Sequence, residues 1–234
     1  MHRAAPRYIL SARKRLSILN GTVSKLTAES NSPIEAAVTV FYFIRDLKWG
    51  ASPIYKASEA LRKRNKPLIC VSKAVLQVAL CRALGIPSRL HCWLIKPSQR
   101  TICKINELLF SQGRMRFREE MPLYHMAAEI FLERWVIADA TVDKGLRKVF
   151  EINEWDGTRD VYLSGFEYVD DLGSFRDVPQ FVVDASRGKL LPLYLRPLAP
   201  IVLKIYNRSL NSIFEKSGIL IRTTEIRLPH LQGL

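Results

Sequence analysis

Residues 66–90, KPLICVSKAVLQVALCRALGIPSRL, decide the fold because they combine one helix with clear signals at both of its ends. Pro67 disfavours helix in the residue before it, so the chain is predicted to be extended as it approaches Cys70. A helix that begins at Cys70 is apolar almost all round, which is typical of a buried helix. Gly85 supplies the C-cap and Pro87 prevents continuation, so a strand is predicted to follow.

Cys70 has the best setting for a nucleophile among the four cysteines. A thiol at a helix N-terminus lies near free backbone N–H groups and the positive end of the macrodipole, which stabilise a thiolate. Cys81 is predicted in the middle of the same helix and Cys92 in a strand, which is typical of inert core residues. Cys103 falls in a basic insert where no predicted element fixes it.

The remaining elements predict an α+β domain. Helices are predicted over residues 8–19, ended by Asn20 and Gly21, over 34–47 after a Ser32 N-cap, and over 55–65. Strands are predicted over 88–95, 123–132 and 135–139, the last two forming a hairpin with a tight turn at 133–134. Turns are predicted at 156–157 and 172–173, and a C-terminal helix at about 199–216.

Three segments describe the domain organisation. The chain of 234 residues, 48% hydrophobic, can bury one core. Residues 1–32 are predicted to be a basic helix and linker, 33–180 the catalytic domain, and 181–234 a helical extension. The extension is expected to pack on the domain, with an interfacial membrane anchor as the alternative. The long basic insert 96–122 is expected to be a lid or binding loop.

The net charge of +14 would attract acidic proteins, nucleic acid or an anionic membrane. No nucleic-acid-binding motif accompanies it, so no specific nucleic-acid partner is predicted. No apolar run is long enough for a transmembrane helix, and the N-terminus lacks the apolar core of a secretory signal. A mitochondrial transit peptide remains an alternative there. The cysteine spacing fits neither a disulfide scaffold nor a zinc site, so reduced thiols in the cytoplasm are expected.

A cysteine nucleophile needs a histidine and a group that orients it. His2 and His230 lie near the ends, and His91 is most simply a strand residue. His125 lies early in the first hairpin strand, and Asp139 ends the second. The hairpin brings these two residues nearly opposite each other, so their side chains could meet on one face of the sheet.

These residues together resemble the transglutaminase-like superfamily, notably its prokaryotic members. The similarity covers about residues 33–145, and it rests on AAVTVFYFIRDLKWG, the Cys70 helix with its ALGIPSRL ending, the His125 strand and WVIADAT. It implies a papain-like α+β fold in which a central helix carrying the nucleophile packs on an antiparallel sheet. By the same resemblance Cys70 is the nucleophile, His125 the base and acid, and Asp139 the orienting group, with no cofactor.

Three residues depart from the superfamily pattern. Leu68 replaces a glycine two residues before the cysteine, Ala127 replaces an aromatic residue two after the histidine, and Ala140 replaces a proline. The first two are expected to change the substrate cleft.

The function that follows is cysteine-dependent acyl transfer or hydrolysis at an amide or thioester carbonyl through a thioacyl-enzyme. The substrate would be a peptide, a protein or a carrier-bound acyl group. The basic charge suggests one alternative, a biosynthetic acyltransferase or cyclase that acts on an acidic carrier protein. A non-catalytic binding domain of the same fold is the other alternative.

Overall fold

The computed structural model describes residues 7–50, 54–110, 123–147, 150–152 and 154–186. Its helices are α1 (Arg7–Leu26), α2 (Pro33–Asp46), α3 (Ala57–Arg62), α4 (Cys70–Ala83), α5 (Gln99–Phe110) and α6 (Gln180–Ser186). Its strands are β1 (Ser88–Pro97), β2 (Leu123–Leu132), β3 (Arg134–Ala138) and β4 (Phe166–Phe175), and a short 3-10 helix spans Lys144–Leu146.

The four strands form one antiparallel sheet in the order β3-β2-β1-β4. The β2–β3 hairpin turns at Glu133, whose φ of 67° is left-handed, so the predicted tight turn is confirmed. β1 lies centrally, and Trp93 on it is the register partner of His125 on β2. The predicted α+β fold with an antiparallel sheet is confirmed.

Helix α4 packs between the other helices and the sheet. It is apolar on nearly every side because α1, α2 and α3 contact it as well as β1 and β2. Its side chains share one core with strand residues that alternate on the facing side of the sheet: Leu90, Cys92, Met126, Ala128 and Ile130. The opposite face of the sheet carries a second apolar cluster, which includes Trp93, Ala127, Ile137, Leu146 and Phe150.

The start of α2 follows its sequence signals. The Ser32 hydroxyl accepts a hydrogen bond from the Glu35 N–H at 3.1 Å, and the Glu35 carboxylate accepts one from the Asn31 N–H at 2.6 Å. This reciprocal cap satisfies backbone donors that a helix start leaves open. The predicted Ser32 N-cap is confirmed.

Helix α1 is longer than predicted, because Asn20 and Gly21 do not end it. Val23 is buried in the core, and Leu26 packs against the same cluster. A glycine inside a helix costs about 1 kcal/mol relative to alanine, and burying one aliphatic side chain can offset that. Tertiary packing therefore overrides the local stop signal.

The basic insert begins with a helix, α5, that the sequence interpretation missed. The Ser98 hydroxyl accepts a hydrogen bond from the Thr101 N–H at 3.3 Å, and Ile102 is buried on the inner side. Residues 111–122 of the insert and the predicted helix at 199–216 lie outside the described residues. The expectation that the whole insert 96–122 is a lid or binding loop stays a prediction.

The turn predicted at Leu172 and Gly173 is wrong, because both residues lie inside β4. Gly173 pairs with Cys92 while Asp171 pairs with Trp93, so Leu172 is an extra residue in the ladder. Gly173 has a φ of 84°. A glycine in this conformation within a strand marks a β-bulge, which resembles a turn in sequence.

Candidate active site

Cys70 is the first residue of α4, and hydrogen bonds fix the backbone two residues before it. Leu68 donates its N–H to the Lys48 carbonyl at 2.8 Å and accepts the Gly50 N–H at 3.1 Å. Ile69 is the extended N-cap residue, and its side chain makes no capping hydrogen bond. Cys70 therefore lies partly exposed where the N–H groups of the first helical turn point out of the helix.

The other thiols lack this setting. Cys81 and Cys92 are buried in the core, and burial raises the pKa of each thiol to about 12. Their predicted place in the core is confirmed. Cys103 is exposed on α5, where the Gln99 amide lies 3.9 Å from its sulfur.

His125 and Asp139 form a buried contact. His125 Nε2 lies 2.6 Å from Asp139 Oδ2, and both side chains are at most 2% exposed. The β2–β3 register pairs Ala128 with Ala138, so Asp139 follows on the same face as Ala127 and His125. His125 and Asp139 therefore meet diagonally across the hairpin. The hairpin pattern predicted them nearly opposite each other, whereas they are offset by two positions.

The structure brings Cys70 to the same histidine. Burial disfavours the charged imidazole, but the Asp139 carboxylate and a hydrogen bond with the Cys70 side chain outweigh it, and the pKa of His125 rises to about 10. Since Nε2 faces Asp139, Nδ1 is the ring nitrogen left for the thiol. The three residues singled out from the sequence are thus adjacent in space.

Asp139 is held as a carboxylate. Burial opposes its charge, but the His125 imidazole and hydrogen bonds from Thr141 lower its pKa overall. The Thr141 N–H donates to Asp139 Oδ1 at 2.9 Å, which leaves Oδ2 directed at the imidazole. The Asp139 N–H donates to the Val161 carbonyl at 3.1 Å, so this backbone is also anchored.

A cluster of aromatic rings lies beside the imidazole. The Trp93 ring is nearly parallel to that of His125, with centroids 6.2 Å apart. Tyr162 and Tyr168 contact Trp93 edge to face at 5.9 and 5.4 Å. Their apolar bulk lowers the local dielectric and strengthens the histidine–carboxylate interaction.

The residues that depart from the superfamily pattern lie close to this site. Leu68 is fully buried in the main core, and Ala127 is buried in the second apolar cluster. Ala140 is also buried, directly after the carboxylate. The expected effect of Leu68 and Ala127 on the cleft stays a prediction.

His91, which the sequence indicated as a strand residue, lies in β1. Its Nε2 is 2.7 Å from Asp171 Oδ1, and its Nδ1 is 3.4 Å from Glu129 Oε2. It stacks on Trp93 at 4.2 Å, on the same face of the sheet as His125. His2 and His230 lie outside the described residues.

Two residues that support the site were missed in the sequence. Thr141 holds Asp139, and the buried Lys73 donates to the Thr141 carbonyl at 2.8 Å. The signal for Lys73 was present, since a lysine one turn after Cys70 is unusual in a helix that is apolar all round. Thr141 gave no comparable signal.

No group of three or more metal-binding side chains occurs among residues 7–50, 54–110, 123–147, 150–152 and 154–186. Within those ranges no helix combines the length and hydropathy that a membrane span requires.

Comparisons with known proteins identify the family. The model of the transglutaminase-like superfamily matches residues 20–140, which include Cys70, His125 and Asp139. No curated protein matches the chain. A solved structure of a putative cysteine protease from Cytophaga hutchinsonii is similar at 21% identity with a TM-score of 0.41. The alignment covers 69% of this chain and 43% of that one, so the chain spans less than half of the matched structure. Because the superfamily match covers more than half of its residues, this chain belongs to the transglutaminase-like superfamily.

Proposed function

We propose that this protein catalyses cysteine-dependent acyl transfer or hydrolysis at an amide or thioester carbonyl. One observation carries the proposal: the buried His125 contacts Asp139 through Nε2 at 2.6 Å and the Cys70 thiol at the helix start. Superfamily membership supports this class of chemistry. No other described cysteine combines a helix N-terminus with a histidine–carboxylate pair.

The first half of the reaction forms a thioacyl-enzyme. The Cys70 thiolate attacks the carbonyl carbon while His125 holds the proton that the thiol has lost. Negative charge develops on the carbonyl oxygen, and the Cys70 backbone N–H at the open end of α4 can donate to it. The bond to the leaving amine or thiol then breaks, and the leaving group takes the proton from His125.

The second half releases the acyl group. His125 now accepts a proton from water or from an acceptor amine, which attacks the thioester carbon. The Cys70 sulfur leaves as thiolate, and the paired imidazolium is restored. Throughout, Asp139 keeps the imidazole ring oriented and stabilises its charge.

The substrate assigned by this proposal is a peptide, a protein or a carrier-bound acyl group, and the setting is the cytoplasm. Four free cysteines, one of them exposed, fit a reducing compartment.

An acylation experiment tests the proposal. With p-nitrophenyl acetate as probe, we expect a burst of about one p-nitrophenolate per chain as Cys70 is acetylated, and intact-protein mass spectrometry should show one added acetyl group. Cys70→Ala should remove the burst. The matched control is Cys103→Ala, which removes the exposed thiol on α5 and should keep the burst.

Two results would contradict the proposal. A burst that persists in Cys70→Ala would place the nucleophile elsewhere. A folded wild-type chain without acetylation at Cys70 would favour the non-catalytic binding domain.

A narrower function is favoured by the charge of +14. An acidic carrier protein that presents an acyl thioester would be attracted to a basic surface, and that attraction would weaken with salt. We expect transfer from an acylated carrier protein to Cys70 to slow several-fold between about 50 mM and 500 mM NaCl. Acetylation by the neutral p-nitrophenyl acetate is the control and should change little. Equal salt dependence of the two reactions would argue against the carrier protein.

A further inference from the structure

Lys73 is a buried cation whose three hydrogen-bond donors are all used. Its Nζ donates to the carbonyls of Leu47 at 2.8 Å, Thr141 at 2.8 Å and Arg45 at 3.1 Å. The residue is 1% exposed. Only the ammonium form has three N–H bonds, so this geometry fits a charged lysine.

These contacts connect the two segments that carry the candidate triad. Lys73 lies in the first turn of α4, and its own N–H donates to the Ile69 carbonyl at 3.0 Å, closing the turn that begins at Cys70. Its side chain bonds the Thr141 carbonyl, while the Thr141 N–H bonds Asp139 Oδ1 at 2.9 Å. One side chain therefore links the first turn of the nucleophile helix to the segment that orients the imidazole.

Charged groups around Lys73 bear on its protonation. Burial lowers the pKa of Lys73 to about 8, since an ammonium loses its hydration there. Asp143, Asp139 and Asp46 oppose that effect, while Arg45 adds to it. Asp143 itself accepts the Trp49 and Gly145 N–H groups, each at 2.7 Å. The carbonyls and carboxylates that face the ammonium partly replace its lost water.

We propose that Lys73 is a positioning residue of the acyl-transfer site, whose ammonium group fixes the first turn of α4 relative to the Asp139–Thr141 backbone. The inference rests on the proposed function. The Thr141 N–H keeps the Asp139 carboxylate directed towards His125. Lys73 in turn fixes Thr141 by donating a hydrogen bond to its carbonyl. Lys73 touches neither substrate nor the reacting atoms, and it acts through Thr141 and Asp139.

A purely structural role is the competing explanation. Two of the three acceptors, the Arg45 and Leu47 carbonyls, lie at the C-terminal end of α2, where helices leave carbonyls unpaired and favour a cation. If Lys73 only closes that helix end, its loss should lower thermal stability without changing the chemistry of Cys70. The reactivity of Cys70 as a function of pH separates the two roles.

The test compares Lys73→Met with Gln77→Met. Gln77 is a matched control because it is also 1% exposed on α4, one turn later, and its Nε2 has no hydrogen-bond partner among the described residues. The rate of Cys70 alkylation by iodoacetamide is measured between about pH 5 and 9 by peptide mass spectrometry, with Cys103 as internal reference. Circular dichroism establishes that each variant is folded.

We expect Lys73→Met to slow alkylation of Cys70 about 10- to 100-fold relative to Cys103 near pH 6, because small displacements within a catalytic constellation cost that much. Gln77→Met should leave the Cys70 pH profile unchanged. If Lys73→Met does not fold, Lys73→Gln, which keeps two donors but no charge, takes its place under the same criteria. A folded Lys73 variant with the wild-type profile would overturn the inference.

The proposed function fails independently of this result. If wild-type Cys70 reacts no faster than the exposed Cys103 at pH 6, there is no activated thiolate and the acyl-transfer proposal itself is wrong. If wild-type Cys70 is activated and the Lys73 variants are equally so, only the role of Lys73 is wrong.

Discussion

Two histidine–carboxylate contacts lie on the same face of the sheet, and the Trp93 ring lies near both histidines. His125 Nε2 is 2.6 Å from Asp139, and His91 Nε2 is 2.7 Å from Asp171. Trp93 stacks on the His91 ring at 4.2 Å and lies 6.2 Å from that of His125. By distance and by residue type the two pairs are nearly equivalent.

Two features distinguish the pairs, namely burial and the contact of the histidine with a third side chain. The Asp139 side chain is 1% exposed and that of Asp171 is 62% exposed, so water screens the second pair and leaves the first almost unscreened. The buried imidazole also contacts the Cys70 thiol. A short histidine–carboxylate distance therefore does not by itself distinguish the two pairs. Burial and the adjacent Cys70 thiol do, and they are why we propose His125 and Asp139 as the catalytic pair.

The second pair belongs to a polar network instead. Glu129 accepts hydrogen bonds from Arg89 at 2.6 and 2.9 Å and from the Ser174 hydroxyl at 2.6 Å, and it lies 3.4 Å from His91 Nδ1. These contacts join β1, β2 and β4 across the sheet. We therefore assign His91 to the cohesion of the sheet rather than to chemistry.

The largest predicted difference between the pairs concerns the histidines. His125→Gln should slow acetylation of Cys70 by p-nitrophenyl acetate at least about 1,000-fold, because the thiol loses its base. His91→Gln should change the rate less than about threefold. Burst kinetics of the two purified variants measure both effects, and a severe loss in His91→Gln with an intact fold would contradict the assignment.

A smaller difference is predicted for the carboxylates. Asp139→Asn should reduce the acetylation rate about 100-fold. The effect is smaller than that of His125→Gln because the Asp139 carboxylate acts only through the orientation and charge of His125. Asp171→Asn, which makes the equivalent change in the exposed pair, should stay within about twofold. If both asparagine variants lost activity alike, burial would not be what distinguishes the two sites.

The sequence could indicate Cys70, His125 and Asp139 because each lies at or near the end of a locally encoded element. A proline–helix junction marks the first, and a hairpin with its tight turn brings the other two together. Lys73 could not be interpreted in this way. Its acceptors come from Arg45, Leu47 and Thr141, and only the tertiary packing of α2 and α4 brings them to one point.

The dependence on contacts distant in sequence also explains why the predicted end of α1 and the predicted turn within β4 were wrong. Gly21 and Gly173 are local signals for a helix end and a turn, and both signals are overridden by contacts distant in sequence. Local sequence patterns predicted well where helices and strands begin. They predicted less well where packing against other elements lengthens a helix or introduces a bulge into a strand.

The smallest predicted effect is on stability, and it concerns the buried His125. A pKa of His125 raised to about 10 means that the folded state binds its proton more tightly than the unfolded state. The resulting stabilisation is complete below the ordinary histidine pKa of about 6.5 and is lost as pH rises towards 10; it is on the order of a few kcal/mol.

The measurement has to separate this effect from that of Lys73. Because the pKa of Lys73 is lowered, its contribution to stability rises with pH in part of the same range, so total stability is not the useful measure. Urea unfolding of wild type and His125→Gln between pH 6 and 10 gives the difference directly, and that difference should shrink as pH rises. A difference for His125→Gln that is independent of pH would show that this imidazole is not held as the cation.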